Sequence, residues 1–218
     1  MFWLTMLLLG EQAALTPAII RNANELLTSD DYVARAVGTD KSGLTLVEIL
    51  IDPTGKPQTC GVAATNGSKD LDLKACAAAV LRGKYTPAAD ENGLPMYGVY
   101  RLKVHWRMEL FFDGPASKPK LPADLVLEVK TLPEGRKSVA VTLAYFVDEE
   151  GAIQRCSVLQ SSGFTAFDTG ACSAMKKRYR YAPAKDKAGK AWPVVRRQQI
   201  EFTSGETRPP DPVGGSDR

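Results

Sequence analysis

Cys156-Ser157-Val158-Leu159-Gln160-Ser161-Ser162-Gly163, followed closely by Asp168-Thr169-Gly170-Ala171-Cys172, is met a second time in this chain. Counting back 96 positions gives Cys60-Gly61-Val62-Ala63-Ala64-Thr65-Asn66-Gly67 and Asp72-Leu73-Lys74-Ala75-Cys76. The same offset, without a gap, relates Asp52 to Asp148, Gly55 to Gly151, Tyr85 to Tyr181, Pro87 to Pro183, Ala88 to Ala184, Asp90 to Asp186 and Gly93 to Gly189. Agreement over so long a stretch means that most of the protein is one module written twice, and its function is that of a duplicated module.

The local signals inside each copy spell one order of elements. Leu44 to Ile51 is rich in Leu, Ile and Val and reads as a strand. Asp52-Pro53-Thr54-Gly55 is a turn, with Pro setting the corner and Gly free to take positive φ. Thr59 to Ala64 returns as a second strand. Asp72 is placed to cap a helix over Leu73 to Arg82, closed by Gly83. Pro87 forbids its continuation, and a last strand runs from about Gly98 to Met108. The second copy repeats the plan with strands over Val139 to Val147, Ile153 to Gln160 and Val194 to Phe202, and with Asp168 capping its helix. The fold class expected is α+β: two repeated modules, each a small antiparallel sheet (strand-strand-helix-strand) with one packed helix.

The expected layout is a short apolar segment over 1–14, a helical lead-in over 15–42, the first module over 43–110, a linker over 111–124, the second module over 125–203 and a disordered tail over 204–218. The lead-in rests on the stripe Ala18, Ile19, Ile20, Ala23, Leu26 and Leu27, with a short second helix through Tyr32, Ala34 and Val37. Leu125 to Val129 adds a strand ahead of the second module. Phe2 to Leu9 resembles the core of a secretion signal, although no basic residue precedes it.

Four cysteines in two pairs of equal spacing favour disulfides, Cys60 with Cys76 and Cys156 with Cys172, over buried free thiols. Metal binding is the weaker rival, because zinc ligands usually stand two to four residues apart and the chain has one histidine, His105. A staple of this kind suits a module whose core is small. It also points to an oxidising compartment, so export is the expected fate. A net charge of +3 is too small to argue for nucleic acid.

Asp52 to Gly55, Cys60, Val62, Gly67, Asp72, Ala75, Cys76, Tyr85, Pro87, Ala88, Asp90 and Gly93, with their counterparts from Asp148 to Gly189, form a ladder that resembles the TonB C-terminal domain in its cysteine-bearing form. Thr65 and Asn66 replace the two serines in the first copy. The resemblance implies a periplasmic domain whose sheet edge receives an extended peptide, as from a TonB-dependent outer-membrane receptor. Strand addition of that kind draws affinity from main-chain hydrogen bonds and selectivity from alternate side chains. The candidate edge is the last strand of each module: Arg101, Lys103, Val104, His105 and Trp106 in the first, Arg197, Gln199 and Glu201 in the second. Edge charges also serve to discourage aggregation, a competing account of the same residues.

An energy transducer needs a membrane anchor and a long spacer, and the short apolar segment and lead-in over 1–42 are not expected to supply either. The expected protein is therefore an exported TonB-like binding protein, with membrane contact at most peripheral or through its N-terminus. The alternative is a scaffold whose modules hide their edges against each other. Asp168-Thr169-Gly170 matches an aspartic-protease triplet, but its counterpart Asp72-Leu73-Lys74 does not, so no paired carboxylates arise. No phosphate loop, metal set or nucleophile–base pair argues for an enzyme or a cofactor.

Overall fold

A computed structural model of the chain describes residues 14–28, 31, 43–65, 67–106 and 122–204. The apolar run at 2–9, the short helix expected over 32–38, the linker as far as 121 and the tail after 204 lie outside the described residues.

Seven strands form one sheet: β1 (Gly43–Ile51), β2 (Pro57–Ala64), β3 (Gly98–Trp106), β4 (Leu125–Val129), β5 (Ser138–Val147), β6 (Ile153–Gln160) and β7 (Val194–Ser204). Helix α1 is Lys69–Leu81 and helix α2 is Thr165–Arg178. The order across the sheet is β6-β5-β7-β3-β1-β2, with β4 also paired to β7. The strand-strand-helix-strand unit of each module is antiparallel, as its sequence spells, and β4 joins the second module by a parallel pairing with β7. Between modules the joint is parallel: Val195 pairs with Gly98 and Arg196 with Val99.

The helices lie on opposite faces of this sheet. Val47, Ile49 and Ile51 of β1 share a core with Leu71, Ala75, Ala78 and Ala79 of α1, and Val195 of β7 joins them. Leu50 and Val99 belong instead to the second core, with Val141, Leu143, Tyr145 and Val147 of β5 and Ala171 and Met175 of α2. Strand residues alternate between faces, so odd and even positions of one strand feed different cores. Two equivalent modules related by a rotation about the strand direction have this arrangement.

Both cysteine pairs are disulfides, with Cα–Cα separations of 5.7 Å for Cys60–Cys76 and 5.9 Å for Cys156–Cys172. Each ties the second strand of its module to the helix that follows, within the usual range for an unforced bridge.

Four Asp-x-x-Gly turns among the described residues are built the same way. Asp52, Asp90, Asp148 and Asp186 each accept backbone N–H bonds from residues two and four positions on. Gly55, Gly93, Gly151 and Gly189 close the turns with φ between 78° and 86°, a region that a side chain disfavours. All four carboxyls are held below the usual range. Side-chain bonds from Gln154 and Trp192 lead for Asp148 and Asp186, and the Leu94 amide leads for Asp90. For Asp52, burial opposes the shift but the bonds from Thr54, Lys56 and Gln58 outweigh it.

Two expectations are corrected. Asp72 and Asp168 do not start their helices; both sit in the first turn and reach back. Asp168 accepts from the Ser161 hydroxyl at 2.6 Å and the Ser162 amide at 2.9 Å. Asp72 accepts from the Thr65 hydroxyl at 2.5 Å and the Thr45 hydroxyl at 2.7 Å. Thr65 therefore keeps the hydroxyl that Ser161 supplies. An acidic group at this end of a helix also meets the positive end of its dipole.

The helix expected through Ala18, Ile19 and Ile20 is extended chain instead. Ile19 pairs with Thr86 and Ile20 with Tyr85, while Thr16 bridges Ala89. Ala23–Glu25 takes a short 3-10 turn. Leu15 and Ala18 are fully or nearly buried, so the apolar stripe serves a tertiary contact that local periodicity does not reveal.

Candidate peptide-binding edge

β3 and β7 start side by side and then part. One edge of β7 is filled by β5 along its length. Its other edge is shared: β3 meets it at Val195 and Arg196, and β4 meets it from Ile200 to Ser204. Asp124 fastens the entry of β4. Its amide donates to the Gln199 carbonyl at 3.0 Å, and its carboxylate accepts the Gln199 amide at 2.8 Å. Arg197 and Gln199 lie between the two pairings, and Glu201 is opposite Val126.

On β3 only Gly98 and Val99 are paired toward β7. The Val195 amide donates to the Tyr97 carbonyl at 3.0 Å. Main-chain groups alternate in direction along a strand, so those of residues 101, 103 and 105 point the same way as those of residues 97 and 99. Residues 101 and 103 border a cleft of about 360 Å³ also lined by Ala18, Tyr100, Leu102 and Arg197 among others. Tyr100 is raised above the ordinary phenol range by burial, with the charge of Arg197 acting against that shift.

Side chains along β3 alternate as the sequence suggests. Leu102, Val104 and Trp106 are buried, Arg101 and Lys103 are half-buried, and His105 is exposed. The Trp106 indole N–H donates to the Thr45 hydroxyl at 3.0 Å, which in turn donates to Asp72. Val104 and Trp106 thus belong to the first module's core. Arg101 and Lys103 cross-link the two modules. Lys103 Nζ stands 2.8 Å from Asp124 and donates to the Pro122 carbonyl at 2.7 Å. Arg101 lies 3.3 Å from both Asp124 and Glu48, and Arg196 reaches Glu48 at 2.9 Å.

Arg196 is buried, ion-paired and stacked over the Tyr181 ring at 4.6 Å. The Tyr181 hydroxyl donates to Gln198 at 2.6 Å, and burial raises this phenol to about 12. Neither tyrosine of the repeat faces an open site: Tyr85 is 3 % exposed and donates to the Ala79 carbonyl. The fusion of the two sheets through β3 and β7 had no signal in the sequence, because Gly98, Val99, Val195 and Arg196 carry no pairing code of their own.

The molecule is thus a duplicated α+β module with an incompletely paired central strand. Residues 29–108 and 134–203 each match the family of the Gram-negative bacterial TonB protein C-terminal domain, and the chain belongs to that family. The family implies a periplasmic location, protein partners such as outer-membrane receptors, and a transport-related, non-enzymatic role. No curated protein and no solved structure matches the chain. Among the described residues no helix is long and apolar enough to cross a membrane.

Proposed function

We propose that this protein is a periplasmic binding module that pairs the cleft-facing edge of β3 with an extended segment of an envelope or outer-membrane transport protein. The reading is carried by one observation: beyond Val99, β3 has no strand partner on its cleft side among the described residues. An added strand there gains main-chain hydrogen bonds, and the exposed Arg197 on the cleft wall favours a ligand with acidic or polar side chains. Arg197, Gln199 and Glu201 line or flank the same cleft from β7 and are its second wall. The test is titration with receptor-derived TonB-box peptides, read by amide exchange. Binding slows exchange at Lys103 and His105, and no protection at high micromolar peptide overturns the reading.

A second reading is favoured by the parallel joint itself. If Gly98–Val195 pairing exists to fix two modules as a rigid scaffold, the protein carries no energy-transducing role. Amides of residues 101, 103 and 105 that are already strongly protected without ligand would decide for it.

A further inference from the structure

The internal repeat makes the two halves comparable residue by residue, and one place differs. Each sheet face opposite a module's own helix is crossed by the hairpin arm of the other module. Over the second module's bare face lies the N-terminal segment. Leu15 is fully buried in a cluster with Ala88, Ala144 and Val195, and its amide stands 3.3 Å from the Ser157 hydroxyl. Thr16 exchanges both main-chain bonds with Ala89, at 3.0 and 2.9 Å.

Shifting those neighbours by the repeat offset gives Glu48 for Ala144, Val99 for Val195, Gly61 for Ser157, Ala184 for Ala88 and Lys185 for Ala89. All five line one open cleft of about 230 Å³. No segment fills it among the described residues. A Cβ added at Gly61 would meet nothing within 4 Å. Ala88 is completely covered, whereas its counterpart Ala184 is half-buried. The outward edge of the arm at Lys185 meets the Thr59 hydroxyl, at 3.1 Å to the carbonyl. One difference shortens the vacancy. Ala18 covers Gly98 in the first half, but the counterpart Val194 supplies its own side chain and is 1 % exposed.

We propose that this cleft is a second peptide site, which takes an extended segment of another polypeptide along Ala182–Lys185 and seats one aliphatic side chain above Leu50 and Val99. The seated Leu15-Thr16-Pro17 segment defines the ligand chemistry: an aliphatic residue followed by one that exchanges two main-chain bonds with Lys185. On the floor of the cleft Glu48 and Arg196 already neutralise each other at 2.9 Å, and the remaining charge, Lys185, is exposed to solvent, so an uncharged side chain is preferred over Leu50 and Val99. The site is separate from the β3 edge and does not depend on it.

The probe is a synthetic peptide with the sequence Ala-Leu-Thr-Pro of residues 14–17, added to the full chain and followed by amide chemical shifts. Saturable shifts at Gly61, Val99 and Lys185 that vanish in Gly61→Trp, with thermal unfolding of that variant unchanged, support the proposal. A Val62→Glu variant provides a second block at the rim should Gly61→Trp fail to fold. Shifts confined to Ser157 and Ala89 would mean that the peptide merely replaces the resident segment, and they overturn it. So does the absence of shifts at peptide saturation. Concentration-dependent dimerisation that Gly61→Trp abolishes assigns the cleft to a second copy of this chain and overturns it also.

Discussion

The Tyr97 ring stacks on the Trp192 ring, centroids 4.5 Å apart and planes 23° from parallel, and so locks the two hairpin arms together where the modules meet. Tyr97 also supplies the carbonyl that receives the Val195 amide. One residue therefore holds both the main-chain and the side-chain part of the joint. Truncating Trp192 to Ala removes a large stacking surface and also the indole bond to Asp186 at 2.8 Å. A loss of roughly 2–4 kcal/mol is expected. Urea unfolding followed at two wavelengths checks it, and the variant should lose the coincidence of the two modules' transitions before either module melts.

Each disulfide closes a loop with a sequence separation of 16. Replacing Cys60 and Cys76 together by Ala should lower stability by about 3 kcal/mol, mostly through the freer unfolded chain. The check is chemical denaturation under non-reducing conditions, where the Cys156–Cys172 bridge is retained as an internal reference.

Gly151 and Gly189 separate two effects that are usually mixed. Both have positive φ, at 86° and 82°. A Cβ at Gly151 would lie 1.9 Å from the Tyr181 carbonyl oxygen, whereas one at Gly189 meets nothing within 4 Å. Gly189→Ala should cost roughly 1–2 kcal/mol, the conformational term by itself. Gly151→Ala should cost clearly more, since backbone must move. Thermal unfolding of the two variants measures the difference.

Asp31 accepts a bond from Arg82 at 2.6 Å, and this partner leads the causes that hold its carboxyl at about 2, against an ordinary 3.8. The folded value is depressed. Its stabilisation is therefore complete above pH 3.8 and is lost as the pH falls toward 2. The four turn aspartates shift in the same direction and add to this acid sensitivity. Carboxyl carbon titration should place Asp31 near 2, and Arg82→Ala should return it toward the ordinary value.

Asp124 is the clamp between β3, β4 and β7, with a side chain 4 % exposed and two cations beside it. Asp124→Ala leaves Arg101 and Lys103 without that partner and should destabilise by roughly 3 kcal/mol. If the β3 edge is the peptide site, the same change should alter peptide affinity, and His105→Pro should abolish pairing there while the fold survives, since Pro is tolerated where no ladder bond is donated. Isothermal titration of both variants separates the effects.

Much of this fold is legible in the sequence. The repeated Asp-x-x-Gly turns, the alternating strands and the cysteine spacing are local signals, and strands such as Leu125–Val129 and Ile153–Gln160 appear where those signals place them. The N-terminal stripe is misread because Leu15 and Ala18 owe their burial to sheet and arm residues far along the chain, Ser157 beside Leu15 and Gly98 beside Ala18, and a helix and a strand both hide small apolar residues. Asp72 is misplaced by one turn because a capping role and a back-bonding role need the same residue type. Of the candidate edge, the alternation along Arg101–Trp106 is readable, but the partner that Arg101 and Lys103 find at Asp124 comes from the entry to the second module, about twenty residues on.

Two separate subunits of identical sequence would be obliged to present identical surfaces. Covalent duplication lifts that obligation, and here the divergence is concrete: Ser157 against Gly61, and Gly98 against Val194. The halves share a frame yet are free to specialise, one anchoring the N-terminal segment and the other open among the described residues, so the inferred second cleft occurs once per chain rather than twice.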